Sequence, residues 1–249
     1  MSPEDADATT DGPGLGHGQE PQERLLPTGV PLILFGGSFN PFHNGHLRMC
    51  RAALEARPAA HLVLLPAGRP PHKAIPGLLP YEHRLAMLGA VARELGPRVH
   101  VSRLESDAVR RAELDRPTGE LPPSYTCETL RRVRRRTDQP LSFLIGADSL
   151  RDLSKWARVP EILELAELLI IERPEVDTEA AFAGLSGFLP EPRIAELRRG
   201  LVAMAPHPAS STKIRALAAA GEAPDALDCP PAVRDYLTAH GLLDQLSAG

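Results

Sequence analysis

From Val30 onward the chain alternates short apolar runs with stretches of helical period, and this alternation restricts the fold more than any other feature. Leu32-Ile33-Leu34-Phe35 is a continuous apolar run stopped by Gly36-Gly37, which predicts a strand buried on both faces. Leu47, Cys50 and Leu54 then recur at helical spacing. A second buried strand is predicted over residues 61–65, ended by Pro66, and Leu85, Leu88, Ala92 and Leu95 mark one face of the helix after it. Residues 99–104 predict a weaker third strand. Beyond a polar stretch the pattern predicts a helix over 126–136, a strand over 141–145, short helices within 150–166 and a strand over 168–171. A helix near 192–200, a strand over 201–205 and helices over 212–220 and 231–240 complete the series. Strands separated by helices need crossover connections, which are right-handed and set the strands parallel. The expected fold class is therefore α/β, a doubly wound and mostly parallel sheet. Such sheets take ligands beyond the carboxyl ends of their strands, so the residues just after each strand are the first candidates for chemistry.

Composition narrows the function classes. The 249 residues suffice for one large or two small domains, and no apolar run approaches the roughly 18 to 20 residues that a spanning helix needs. No membrane role is therefore expected. Cys50, Cys127 and Cys229 stand far apart with no C-x-x-C, which encodes neither a zinc knuckle nor a disulfide framework and fits a reducing, cytoplasmic setting. The first 28 residues carry six acids against the single base Arg24, a net charge of −5 against −4 for the whole chain, so the body is nearly neutral. Residues 1–28 are expected to be a disordered acidic extension, without the basic start and apolar centre of a secretory signal. A neutral body offers no electrostatic footprint for nucleic acid. The run Arg131-Arg132-Val133-Arg134-Arg135-Arg136 is expected to be a solvated helix face, because no aromatic platform accompanies it.

The loop after the first strand reads Gly36-Gly37-Ser38-Phe39-Asn40-Pro41-Phe42-His43-Asn44-Gly45-His46-Leu47. The glycine pair permits close approach of a ligand to the backbone, and residues 43–46 open a helix whose free N–H groups and dipole favour an anion. Two imidazoles three positions apart point to the same side of such a helix, suited to donating hydrogen bonds to phosphate oxygens and less suited to a metal. The loop has neither the G-x-G-x-x-G of a dinucleotide fold nor the G-K-[ST] ending of a P-loop. Far along the chain, Ser210-Ser211-Thr212 predicts a capped helix start and a second anion seat.

Residues 36–47 resemble the signature of the H-x-G-H nucleotidyltransferases, relatives of class I aminoacyl-tRNA synthetases. Within that superfamily the chain is similar to the bacterial nicotinate-nucleotide adenylyltransferases. The likeness rests on Pro66-Ala67-Gly68 with Pro70-Pro71-His72-Lys73, on Pro123-Ser124-Tyr125-Thr126, and on Phe143 to Leu150 with Trp156. It continues through Ser210 to Arg215 and the closing stretch with Val233, Tyr236 and Gly241.

The resemblance implies transfer of the AMP moiety of ATP to nicotinate mononucleotide, giving deamido-NAD and pyrophosphate in NAD biosynthesis. It implies catalytic roles for His43, His46 and Arg215. ATP contacts would come from Gly36, Gly37, Ser38, Phe39, His43, Gly45, His46, Gly146, Asp148, Ser211, Thr212 and Arg215. The mononucleotide would be held by Asn40, Lys73, Tyr125, Thr126 and Trp156, with the tryptophan stacking on the pyridine ring. Tyr125 and Thr126, at a helix start, would meet the nicotinate carboxylate. For Asp148 an N-cap of the following helix is the competing reading. No protein metal site is implied; Mg2+ would arrive with ATP. An enzyme for nicotinamide mononucleotide, or for both forms, stays open, as does a catalytically silent nucleotide-binding regulator. Asn40 stands where the bacterial family more often has Asp, a feature shared with nicotinamide-type relatives. The partners implied are ATP and a pyridine mononucleotide, and a homo-oligomer is left open. Residues 29–249 would form one nucleotidyltransferase domain, with surface insertions near 107–122, as a loop or flap, and 177–190, as a peripheral elaboration.

Overall fold

The computed structural model describes residues 26–69, 77–115, 124–173, 176–205 and 207–247. Lys73, Pro123, the 116–122 half of the expected flap and most of the acidic extension lie outside the described residues. Six strands, β1 (Leu32–Gly37), β2 (His61–Pro66), β3 (Val99–Val101), β4 (Leu141–Gly146), β5 (Glu167–Ile171) and β6 (Leu201–Val202), form one sheet in the order β3-β2-β1-β4-β5-β6. Every pairing is parallel. The chain reverses its direction of travel across the sheet between β1 and β4, so the loops leaving these two strands diverge and open a crevice.

The alternation of side chains along β1 explains its unbroken apolar run. Ile33 and Phe35 enter one core with Leu47, Met49, Cys50, Ala53 and Leu54 of α1 (Asn44–Ala56) and with Met87, Leu88 and Val91 of α2 (Tyr81–Leu95). Leu32 and Leu34 enter the other with Leu130 and Val133 of α4 (Thr126–Arg134) and Ile162 of α6 (Val159–Leu165). The first core is completed by α9 (Ser211–Ala219), α10 (Pro231–Ala239) and α11 (Leu243–Ser247) through Ile214, Val233, Leu237 and Leu246. The second is completed by α7 (Thr178–Ala183) and α8 (Glu191–Arg199). Between these elements lie α3 (Leu104–Asp115) and α5 (Ala147–Arg151).

Five expectations need correction. The third strand stops at Val101, because Leu104 N–H turns onto Ser102 Oγ at 3.2 Å and starts α3. The same helix takes residues 107–115, expected as loop or flap. The segment 177–190 is not peripheral: Asp177 caps α7 by accepting from Ala180 N–H at 2.9 Å, and Phe182, Leu185 and Leu189 are buried in the second core. Burying one such aromatic ring is worth about 1.5–3 kcal/mol. The arginine run is not simply a solvated face either. Arg131 pairs with Glu161 of α6 and with Glu128, while Arg134 donates to Leu165 O and Gln139 O, both at 2.7 Å. At the other end of the chain, Leu26 packs on the second core, so the acidic extension stops short of residue 28.

Candidate active site

The two histidines build the start of α1 themselves. His43 is its N-cap, and its Nδ1 accepts from His46 N–H at 3.2 Å, while His46 Nδ1 accepts from His43 N–H at 3.3 Å. This is a capping box in which imidazoles replace the usual hydroxyl and carboxylate. The rings stack with centroids 3.6 Å apart and planes 20° from parallel. Because each Nδ1 is an acceptor, the proton of each neutral ring resides on Nε2, which is left as a donor. Burial, aided by Arg173, pulls the His43 pKa down to about 4, despite an opposing pull from Asp228. Burial and the His43 neighbour take His46 well below its ordinary value. Both rings are therefore neutral donors at physiological pH.

This arrangement corrects the expectation of an open helix-terminal anion seat. The amides of His43 and His46 are engaged by the rings, and Asn44 N–H donates to Asp228 O at 3.1 Å. Asp228 also accepts from Asn44 Nδ2 at 2.7 Å and faces His207 Nε2 at 2.9 Å. The donors that this turn leaves open are the imidazole Nε2–H groups.

A cavity of about 870 Å³ opens at the switch point. Gly36, Gly37, Ser38 and His46 line it from the β1 loop, Ser124, Tyr125 and Thr126 from the start of α4, and Gly146 and Asp148 from the end of β4. Trp156 closes the far wall, edge-on to Phe143 with centroids 6.2 Å apart. Tyr125 is 40% exposed, and no side chain caps the helix that it begins, which leaves the first amides of α4 for a ligand.

Other expected ligands stand behind this surface. Asn40 is fully buried; its Nδ2 donates to Gly77 O at 2.8 Å and its Oδ1 accepts from Leu79 N–H at 2.9 Å. With both polar ends engaged in holding the 77–79 segment, it is a loop bolt and not a mononucleotide contact. Phe39 is a core ring, edge-on to Phe35 and His46 at 5.2 and 5.1 Å. Gly45 is needed for room: a Cβ there would stand 3.0 Å from the His43 ring.

Residues of α9 meet the same loop. Ser211 Oγ donates to Pro41 O at 3.1 Å, and Arg215 donates to Asn40 O at 3.0 Å and to Thr212 Oγ1 at 3.3 Å. The distant Ser-Ser-Thr cap and the histidine loop are thus joined, through the backbone of Asn40 and Pro41. Ser210, not Ser211, is the cap, accepting from Lys213 N–H at 3.2 Å. Asp148 is not an N-cap; Gly146 holds that position, and Asp148 Oδ1 lies 3.2 Å from Arg173 Nε. The angle between them is poor for a hydrogen bond, leaving this buried Nε–H without an aligned partner.

Three residues of the site were missed in the sequence. Arg84, 2% exposed, donates to Leu79 O and Ser38 O at 3.0 Å and to Ala67 O at 2.9 Å, tying three loops together. Its signal was its place on the buried stripe of α2 with Met87, Leu88 and Val91. Arg173 follows β5 by two residues, lines the cavity and approaches Met49 Sδ at 3.6 Å. Glu105 lines it from the first turn of α3. The carboxyl-end rule for strands pointed at both neighbourhoods.

Comparison with known proteins identifies the family of the chain. Residues 34–217 match the cytidylyltransferase-like family. A Stenotrophomonas maltophilia protein described as a probable nicotinate-nucleotide adenylyltransferase is 37% identical over 225 residues, covering 84% of this chain and 95% of its own. An Aeromonas hydrophila protein of the same description is 38% identical over 221 residues, covering 85% and 96%. The fold matches a Plasmodium falciparum nicotinic acid mononucleotide adenylyltransferase complexed with NaAD at a TM-score of 0.63 and 16% identity, over 86% of this chain and 98% of that one. The chain belongs to the cytidylyltransferase-like family and, within it, to the nicotinate-nucleotide adenylyltransferases.

Proposed function

We propose that the protein transfers the adenylyl group of ATP to nicotinate mononucleotide, releasing pyrophosphate and forming deamido-NAD. The observation that carries this reading is the pair of stacked, neutral histidines at the switch point, opening through His46 on a cavity that reaches Trp156. A mononucleotide phosphate oxygen is anionic near neutral pH and attacks the α-phosphorus of ATP in line, so no strong general base is required. The bond to the β-phosphate oxygen breaks, and charge accumulates on the departing pyrophosphate. The protein's task is to position two polyanions and to stabilise that charge. Nε2–H donors fixed by the α1 backbone do so without reorganising, and neutral rings do not neutralise the attacking phosphate. Arg173 supplies a cation beside them. Ser211 and Arg215 hold the loop from behind, and Asp148 is within the same cavity for the ribose.

Trp156 provides a face for the pyridine ring, and the uncapped start of α4 favours an anionic ring substituent, which supports the acid over the amide. Among the described residues no three His, Cys, Asp or Glu converge on a metal, and the carboxylates on the cavity are Glu105, Asp148 and Asp152. This donor set fits Mg2+ carried in on ATP, with Asp148 or Asp152 reaching its water shell. When bound there, the ion neutralises phosphate charge. The buried, unpaired cysteines support a cytoplasmic, reducing location.

The test is pyrophosphate release with ATP–Mg and either mononucleotide, in the wild type and in His46→Ala. Removing one preorganised donor should cost about 3 kcal/mol, roughly a hundredfold in kcat, with the fold intact. Unchanged turnover would remove the histidine from the mechanism.

A further inference from the structure

Glu105 is buried, 8% exposed, yet it lies on the cavity wall beside the residues that begin α4. Its Oε1 accepts from Thr129 Oγ1 at 3.0 Å and its Oε2 from Gly68 N–H at 3.3 Å, and Ser124 is a further hydrogen-bond partner. Ser124 and Thr129 bracket Tyr125 and Thr126, the proposed receptors of the ring substituent. The wall is closed by Ser124 N–H donating to Arg69 O at 2.9 Å and Arg69 N–H donating to Ser124 Oγ at 3.2 Å. No step of the transfer chemistry uses this carboxyl group.

We propose that Glu105 is a specificity-determining residue for the acid and amide forms of the pyridine mononucleotide, acting on the ring substituent through the wall it forms with Ser124 and Thr129. The inference rests on the adenylyltransferase reading. The two substrates differ by one charge, at the ring substituent. An ionised Glu105 opposes the nicotinate carboxylate and leaves the amide unaffected, whereas a protonated Glu105 opposes neither. Burial pushes its pKa up to about 7, against the pull of its three hydrogen bonds, so its charge changes within the working range of the enzyme. Among the described residues, the charged and titratable groups that face it are Arg132 of α4 and Tyr81 and Arg84 of α2. Burial holds the Tyr81 pKa at about 12, so the phenol stays neutral at neutral pH, and both arginines stay charged there. None of the three changes charge between pH 6 and 8.5. His43, at about 4, has already lost its proton there.

The experiment compares kcat/KM for the acid and the amide mononucleotide between about pH 6 and 8.5, a range that brackets the Glu105 midpoint. The mononucleotide phosphate titrates equally in both substrates and cancels in the ratio. The acid-to-amide ratio should fall roughly five- to tenfold as the pH rises through about 7, the effect of one charge at short range in a partly screened site. In Glu105→Gln the ratio should be flat and remain at the wild-type acid-side level. In Thr129→Val, which removes a donor to the ionised form, the midpoint should move to higher pH. A merely structural role would lower both kcat/KM values together and leave the ratio unmoved. A flat wild-type ratio, or the same slope in a folded Glu105→Gln, overturns the inference while leaving adenylyl transfer standing. Failure of the wild type to adenylylate either mononucleotide overturns the functional reading and the inference with it.

Discussion

Replacing Arg84 by Met keeps an unbranched apolar stem on α2 and deletes the guanidinium. The three carbonyls that it serves belong to Ser38 after β1, Ala67 after β2 and Leu79 before α2. A hydrogen bond from a charged donor contributes about 1.5–3 kcal/mol, so the three together amount to at most roughly 5–9 kcal/mol. Against this, the variant no longer buries a cation, whose desolvation costs several kcal/mol. Two of the carbonyls are only partly buried and regain water. The net loss should be about 3 kcal/mol, which for a chain of this size lowers Tm by roughly 6–12 °C. Arg84→Lys should fall between, because an ammonium on a flexible stem cannot serve three carbonyls in a fork. Since Ser38 and Ala67 stand on the cavity edge, the KM for ATP should rise as well. Calorimetric melting of the three proteins, with ATP kinetics at a temperature where all are folded, checks both claims. A fall in Tm of less than about 2 °C for Arg84→Met, with unchanged KM, would mean that the loops hold their shape unaided.

Three further outcomes are expected. Trp156→Ala should raise the mononucleotide KM far more than the ATP KM in two-substrate kinetics; equal effects would make the ring core filler. Gly45→Ala, which in most helices stabilises by about 0.5–1 kcal/mol, should here displace the His43 ring and lower kcat; a higher Tm with normal turnover would show that the stack is dispensable. Between pH 6.5 and 4 the unfolded chain binds a proton that folded His43 refuses, so stability falls as pH falls, by roughly 3 kcal/mol from this group, while Glu105 contributes stability below pH 4.5 that is lost as pH rises through 7. The two oppose each other in the wild type, so denaturant melts of Glu105→Gln should show the steeper acid loss, and parallel curves would refute the assignment.

The strands and the histidine loop were legible because their signals are local. Leu32 to Phe35 needs no distant partner to announce a strand with two buried faces, and His43 and His46 sit at a junction of glycine pair and helix start. What the spacing of the histidines did not reveal is that they cap their own helix. An imidazole at an N-cap position competes for the same amides that an anion would take, and the competition is decided by ring orientation, which spacing does not specify.

Two of the residues missed, and one whose role was misread, share a different property. Arg84, Glu105 and Asn40 are buried polar groups, and their partners are largely backbone groups: Ser38 O, Ala67 O, Leu79 O, Gly68 N–H, Gly77 O and Leu79 N–H. Nearly every residue carries such groups, so the partner leaves no mark in the sequence; only the polar residue does, as an anomaly on an apolar face. Arg84 on the buried stripe of α2 is such an anomaly. Asn40 misled in the opposite sense, since a polar residue inside a motif suggests a ligand contact while its amide closes the loop that carries the motif. A charged residue in register with a buried stripe is costly unless several acceptors await it. The loops around this cavity supply those acceptors because, leaving parallel strands at the switch point, they have no neighbouring strand to bond. The same unpaired backbone that makes the crevice able to receive nucleotides therefore creates the demand that Arg84, Asn40 and Glu105 satisfy, and substitutions at these positions should perturb binding and stability together.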